Sequence, residues 1–569
     1  MSYFASTARL SALALSRQHL WTLLLVGIIG IFVCYPIALI VANSFHAEDA
    51  ALGGFAVWQR AFATPGMGEA ILNSLKVVVT VQGISFPVAI AIAWTLARTD
   101  VPASRLIEFG FWASFLLPAL ATTTGWLLLL NPDYGLINRF LVDHGIVDAP
   151  PFTLYSFWGI VFAHLVSNSV SVKVMLLTPA FRNLNSTLEE AAWICGASGW
   201  RALIGVTLPV LTPVLLVTLL MSLIKGLEAF ELELVLGGPI NFNVYSTKIY
   251  QMLRGSPPDY PSATVLATTI LLLMVPMVLA QQWASSRRSF VTVTGNHRAD
   301  PIRLGNKRWI VFGVLVAVLS LTTLVPVVFQ FAGSLMSMYG FFDLPQVWTL
   351  RHWADALADA TFMNALRNTL VLGISTTLLG LLLFSVVAYS SIRAPHRLRF
   401  ALDFVSWLPF VIPGVILGLG YLWFVLDVAV LSPLYGTVGV LILVSLLAAM
   451  TLGVQMLKSA LLQLGNDFEE AGRVVGGSWY RTFTGIVLPL VSPTVAVVIL
   501  MIFAMTIRQV STIVLLSTGR STPLSVLQLE FLYGGSVGPA AVVGSMIVLI
   551  GLAAAALCLF IATRLRGGR

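Results

Sequence analysis

Runs of about 20 mostly apolar residues, each long enough to cross a ~30 Å hydrocarbon layer as a helix, recur along the whole chain. Twelve are predicted: 21–43, 72–97, 108–130, 157–180, 208–228 and 263–283, then 309–331, 366–391, 403–426, 438–460, 488–507 and 541–563. Inside a bilayer each backbone N–H and C=O must find a partner within the protein, so such a chain is restricted to helices packed on helices. Only 10% of the 569 residues are charged and 58% are hydrophobic. Soluble domains carry about 25% charged residues, so an ordinary soluble enzyme is excluded. The first stretch, Trp21 to Val41, is read as a span rather than a secretion signal, because it is long enough and no small-residue cleavage site follows.

Charge placement orients the spans. With the N-terminus inside, 21 of the 32 Lys and Arg residues fall in cytoplasmic segments, among them Arg98, Arg182, Arg201, Arg393, Lys458 and Arg481. The positive-inside rule then places both termini in the cytoplasm, as an even number of spans requires. The net charge of +8 is accounted for by this topology, so the expected surroundings are a lipid bilayer, with no nucleic acid. Cys34, Cys195 and Cys558 are too scattered for a disulfide framework or a thiolate metal site.

A basic linker at 284–308 separates two six-span segments, 1–283 and 309–569, and these are related in sequence. Asn73-Ser74-Leu75 is matched by Asn368-Thr369-Leu370 at an offset of 295, and the same offset pairs Pro118 with Pro413 and Trp126 with Tyr421. Residues 189–213 align without a gap on 469–493 at an offset of 280, with ten identities in 25 positions. Self-similarity of this kind marks an internal duplication. Six spans return the chain to its starting side, so the halves are parallel repeats about a pseudo-twofold axis along the membrane normal. The predicted class is an all-α membrane protein of about twelve transmembrane helices in two such halves.

The repeated loop carries its own chemistry. Ala191, Ala192, Ala471 and Gly472 remove side-chain bulk and let a partner surface approach closely. Gly196 and Gly476 permit a turn between two short helices. Pro209 and Pro489, each after a leucine (Leu208, Leu488), suit the first turn of the next membrane helix. Glu190 and Glu470 offer a carboxylate to a basic group on the partner. The pattern Glu-Ala-Ala, three residues, Gly, nine residues, an aliphatic, one residue, Leu-Pro resembles the EAA loop of permeases in binding-protein-dependent type I ABC importers. It departs mildly at Gly472 and Val206. Duplication in one polypeptide is similar to the fused permeases for ferric iron, thiamine or 2-aminoethylphosphonate, and Arg508-Gln509-Val510-Ser511-Thr512 is similar to the ferric-iron group.

The resemblance implies that each loop is a coupling helix docked on one of two copies of a separate ATPase. A periplasmic or lipid-anchored binding protein would deliver the solute, and the chain would sit as a multi-pass protein in a bacterial inner membrane. It implies ferric iron as cargo, with 2-aminoethylphosphonate, thiamine or a polyamine as alternatives. No cofactor and no catalytic or metal-ligating residues are expected. The chain contains no G-x-x-x-x-G-K-[ST], H-E-x-x-H or G-x-S-x-G pattern, so its power would come from elsewhere. An ion-coupled secondary transporter, the alternative class, would need a carboxylate or histidine relay in mid-membrane; Asp403 and Asp427 lie instead at span ends. Lys173, Lys225 and Glu228 are charges in or near spans, and Lys225 and Glu228 are spaced to pair locally. The 280 offset also sets Glu228 against Arg508, opposite charges that would suit an outer gate.

Overall fold

The computed structural model describes residues 2–45, 54–184, 187–286, 301–463, 481, 485 and 488–567. Among them, ten helices are long and apolar enough to cross a membrane, or up to 12 spans when two bent helix pairs are included. In order these are Leu20–Asn43, Met67–Arg98, the pair Ser104–Leu116 and Ala119–Leu130, Phe157–Arg182, Gly199–Leu227 and Tyr260–Met277. Then follow Lys307–Ser334, Ala360–Arg393, the pair Arg397–Val411 and Gly414–Asp427, Val438–Gln463, Pro489–Ile507 and Val537–Cys558. They are numbered here as spans 1 to 12, and they coincide with the twelve predicted stretches.

Spans 3 and 9, single stretches by hydropathy, are each broken, with bends of 98° and 110°. The cause is local. Proline clashes with the preceding residue in helical geometry and pushes it to extended backbone. Leu117, before Pro118, has ψ 140° and Ile412, before Pro413, has ψ 122°. The same break thus occurs at the same repeat position.

The helices gather into two compact units, and each draws on both sequence halves. One comprises Trp58–Asp359 and Gln528–Val548; the other comprises Met1–Val57, Ala360–Leu527 and Leu549–Arg569. Span 7 therefore belongs with spans 2–6, and span 1 with spans 8–11.

In the unit of spans 2–6, Ala89, Ile92 and Leu96 of span 2 pack on Val170 and Val174 of span 4, together with Ile107, Phe111 and Leu315. The second limb of span 3 lies on span 7. A Cβ at Gly125 would come within 2.1 Å of the Pro326 carbonyl oxygen, so that approach requires glycine. Tyr339 closes the same contact by donating its hydroxyl to the Thr124 carbonyl.

In the unit of spans 8–11, span 1 sits on span 9 in the same manner. Gly420 lies against Pro36 and Ile40, and Tyr421 donates to the Phe32 carbonyl at 2.6 Å. Phe424 meets Phe32 and Tyr35 edge-on. Gly125 and Gly420 stand at the 295 offset, and Pro326 and Pro36 are each a proline of the first span of the opposite half. The seat that holds a first span has been duplicated along with the chain.

Candidate functional site: the loop between spans 4 and 5

The loop is built from two short helices. Thr187–Ile194 ends where the Gly196 N–H bonds the Trp193 carbonyl and the Ala197 N–H bonds that of Ala192. This 5→2 and 6→1 closure needs a left-handed residue, and Gly196 supplies φ +82° with open space where a side chain would project. Ser198 then caps Gly199–Ala202 by accepting from the Arg201 N–H. A single π-helical turn, Leu203–Thr207, leads into Leu208–Leu227, with Pro209 in its first turn as the sequence requires.

Glu190 and Ala191 are exposed, and Ala192 is half-buried. Large apolar side chains of the loop are exposed as well: Ile194 is 87% and Trp200 67% exposed, with Leu188 and Ile204 also open. The second carboxylate, Glu189, has the opposite fate. It is buried, paired with the buried guanidinium of Arg98 at the end of span 2, and it accepts from Thr207 Oγ1 at 2.6 Å. Sequence reasoning passed over Glu189. Its signal was present in the repeat, since Glu469 matches Glu189 and Arg393 matches Arg98.

Of the second loop, Glu470, Ala471, Gly472 and Gly476 lie outside the described residues. Leu488 begins the helix Leu488–Ile507 and Pro489 is its second residue. In each half an acidic residue of the third span, Glu108 or its repeat equivalent Asp403, pairs with a basic residue near the end of the fourth. Arg182 meets Glu108 at 2.5 Å, and Lys458 meets Asp403 at 2.6 Å.

The remaining charges are placed as follows. Lys225 Nζ donates to both Glu228 carboxylate oxygens, at 3.0 and 2.9 Å, forming the local pair that their spacing allows. Glu228 belongs to the unit of spans 2–6, and Arg508, just past Leu488–Ile507, to the unit of spans 8–11. Lys173 is buried in span 4 and donates to the Ser169 carbonyl at 2.8 Å. His164, one helical segment earlier, bonds the fully buried Glu233 at 2.6 Å.

The chain is similar in sequence to several known proteins. Residues 378–567 match the family described as binding-protein-dependent transport system inner membrane component. The chain is 28% identical over 414 residues to the ferric transport system permease protein FbpB of Actinobacillus pleuropneumoniae, covering 70% of this chain and 58% of that one. It is 26% identical over 519 residues to the putative ferric transport system permease protein FbpB 1 of Haemophilus influenzae, covering 87% and 77%. A shorter match, 27% over 197 residues, covers 34% of this chain and 68% of the sulfate transport system permease protein CysT of Escherichia coli.

Proposed function

We propose that this chain, an inner membrane permease of the binding-protein-dependent ABC importers, forms the translocation pathway for ferric iron. A periplasmic or lipid-anchored binding protein hands over the cargo. One copy of a separate ATPase docks on each of the loops 189–213 and 469–493, which places both loops and both termini in the cytoplasm.

The observation that carries this reading is the outward face of the first loop. Monomeric soluble surfaces rarely gather large apolar groups without a partner. Here Ile194, one turn along the helix from Glu190, and Trp200 on the next short helix stand open on a loop capped by its own hydrogen bonds. The repeat supplies Glu470, Ala471, Gly476, Leu488 and Pro489 unchanged and Gly472 in place of alanine, so the docking set is Glu190, Ala191, Ala192, Gly196, Leu208, Pro209 and these six. ATP-driven approach of the paired ATPases would draw the loops together and turn the pathway outward. Glu228 and Arg508 are proposed as groups of an outer gate; charge reversal at either should lower uptake, and the double swap should restore part of it.

The test is purification of the chain with its ATPase and binding protein, followed by reconstitution into vesicles. Accumulation of radiolabelled ferric iron should require ATP, both partners and at least one intact loop. Iron uptake without the ATPase would overturn the permease reading in favour of ion coupling. ATP-dependent uptake of sulfate in place of iron would overturn the cargo and leave the permease in place.

A further inference from the structure

In the helix Thr187–Ile194, Glu189 alone is buried. The apolar side chains Leu188 and Ile194 face outward and Ala192 and Trp193 are only half-buried, so the one fully buried attachment of this helix is a carboxylate. Its two oxygens join three elements. Oε2 takes the Arg98 guanidinium from the end of span 2, and Oε1 takes the Thr207 hydroxyl from the foot of span 5. The ion pair is closed to solvent, with the two side chains only 5% and 3% exposed.

The chain just past Arg98 is tied down as well. The Ile302 N–H donates to the Arg98 carbonyl at 2.8 Å, the Asp100 N–H to the Ile302 carbonyl at 3.2 Å, and the Leu304 N–H to Asp100 Oδ1 at 2.8 Å. The segment entering span 7 is thereby clipped beside the same arginine. A buried ion pair commonly holds no more firmly than apolar side chains of the same size would. What it provides here is direction, because displacement of the carboxylate has to be followed by the guanidinium and the hydroxyl bonded to it.

The duplication supports this independently. Arg393 and Glu469 repeat Arg98 and Glu189 at two different offsets, 295 and 280, so both members recur although they come from separate segments. Thr207 is matched by Val487, which leaves the hydroxyl to the first copy.

Building on the docking role assigned above, we propose that Arg98, Glu189 and Thr207 form a latch that transmits movement of the docked loop to spans 2 and 5. They are positioning residues: the ATPase would touch Glu190 and its neighbours, and the latch would carry that push into the membrane. The signature of such a role is uncoupling.

The experiment uses the reconstituted complex of chain, ATPase and binding protein, and measures ATP hydrolysed and solute moved in the same vesicles. Glu189→Gln should leave ATPase recovery and hydrolysis within about twofold of wild type, while solute moved per ATP falls at least tenfold. Arg98→Glu combined with Glu189→Arg should recover part of that ratio, and Thr207→Val, the residue type of the second copy, should lower it severalfold. An unchanged ratio in Glu189→Gln overturns the latch, as does a proportional loss of transport and hydrolysis. Should Glu189→Gln fail to assemble, Thr207→Val and Arg98→Lys decide on the same ratio. A wild-type chain that never binds an ATPase would instead overturn the docking role itself.

Discussion

The duplicated seat of the first spans makes an unequal prediction for two equivalent glycines. A methyl group at Gly125 would stand 2.1 Å from the Pro326 carbonyl oxygen, 2.8 Å from its carbon and 2.9 Å from its Cα, all backbone atoms. No rotamer relieves that contact, and reaching ordinary contact at 3.4 Å means moving span 3 off span 7 by about 1.3 Å. Overpacking costs about 1–3 kcal/mol, and a rigid backbone obstacle puts this position near about 3. At Gly420 the nearest atom is the Ile40 Cδ1 at 2.9 Å, the far end of a flexible side chain, and Pro36 begins at 3.3 Å. That position sits near about 1 kcal/mol. Alanine regains about 1 kcal/mol of helix propensity at each site. Gly125→Ala should therefore destabilise by about 2 kcal/mol and Gly420→Ala by about zero, a difference of some tenfold to thirtyfold in the unfolding equilibrium. Denaturant unfolding of the two purified variants in mixed micelles, followed by tryptophan fluorescence, measures it. Equal midpoints, or a neutral Gly125→Ala, would refute the seat as described.

Three further outcomes follow from named contacts. Tyr421→Phe strands the partly buried Phe32 carbonyl and should cost about 1–2 kcal/mol, whereas Tyr35→Phe, whose bond to Asp427 is exposed, should cost well under about 1; the same unfolding assay compares them. Asp403→Asn leaves the largely buried Lys458 ammonium without its counter-ion and should destabilise more than Glu108→Gln, whose partner Arg182 is 42% exposed and can turn to water. Gly196→Ala forces an L side chain to φ +82° at a cost of about 1–2 kcal/mol, which should loosen the loop and, under the docking role proposed above, weaken retention of the ATPase in a pull-down while leaving the thermal midpoint of the membrane helices in place.

Hydropathy made the spans legible because lipid leaves a chain no other way to satisfy its backbone. It did not reveal the bends at Pro118 and Pro413, since a window average treats a helix and its 98° break alike. The prolines were visible as repeat markers, and the rule for the residue before proline carries the rest. Exchange of the first spans was hidden for a different reason. Spans 1 and 7 are apolar over most of their surface, and fit at Gly420 and Gly125 contributes to the choice of partner, which composition does not encode. Glu189 and Glu190 read identically in sequence, because both recur in the second copy. They stand about 100° apart around a helix, so one turns to Arg98 and the other to solvent, and only the phase of that short helix distinguishes them.

The two halves keep the same mechanical parts and diverge in the membrane interior. Broken spans, first-span seats and the ion pairs at Glu108 and Asp403 recur. At the 280 offset, however, His164, Lys173 and Glu233 are replaced by Val444, Gly453 and Ile513, and the notch at Gly453 is filled by the Phe384 ring. Polar groups in a spanning segment are costly, and His164 and Lys173 lie in span 4 with Glu233 just beyond span 5, so a set replaced by apolar residues in the other half is not part of the shared scaffold. Lys173 tests this directly. Among the described residues no carboxylate pairs with it, and its ammonium rests on one backbone carbonyl. A charge at the centre of a spanning helix costs about 2.5–3.5 kcal/mol on insertion scales, so Lys173→Met should leave stability unchanged or raise it. Loss of transport in that stable variant would then come from the interior itself. A variant destabilised by more than about 2 kcal/mol would show instead that the ammonium holds the fold, since that is the range of losing a well-used buried partner.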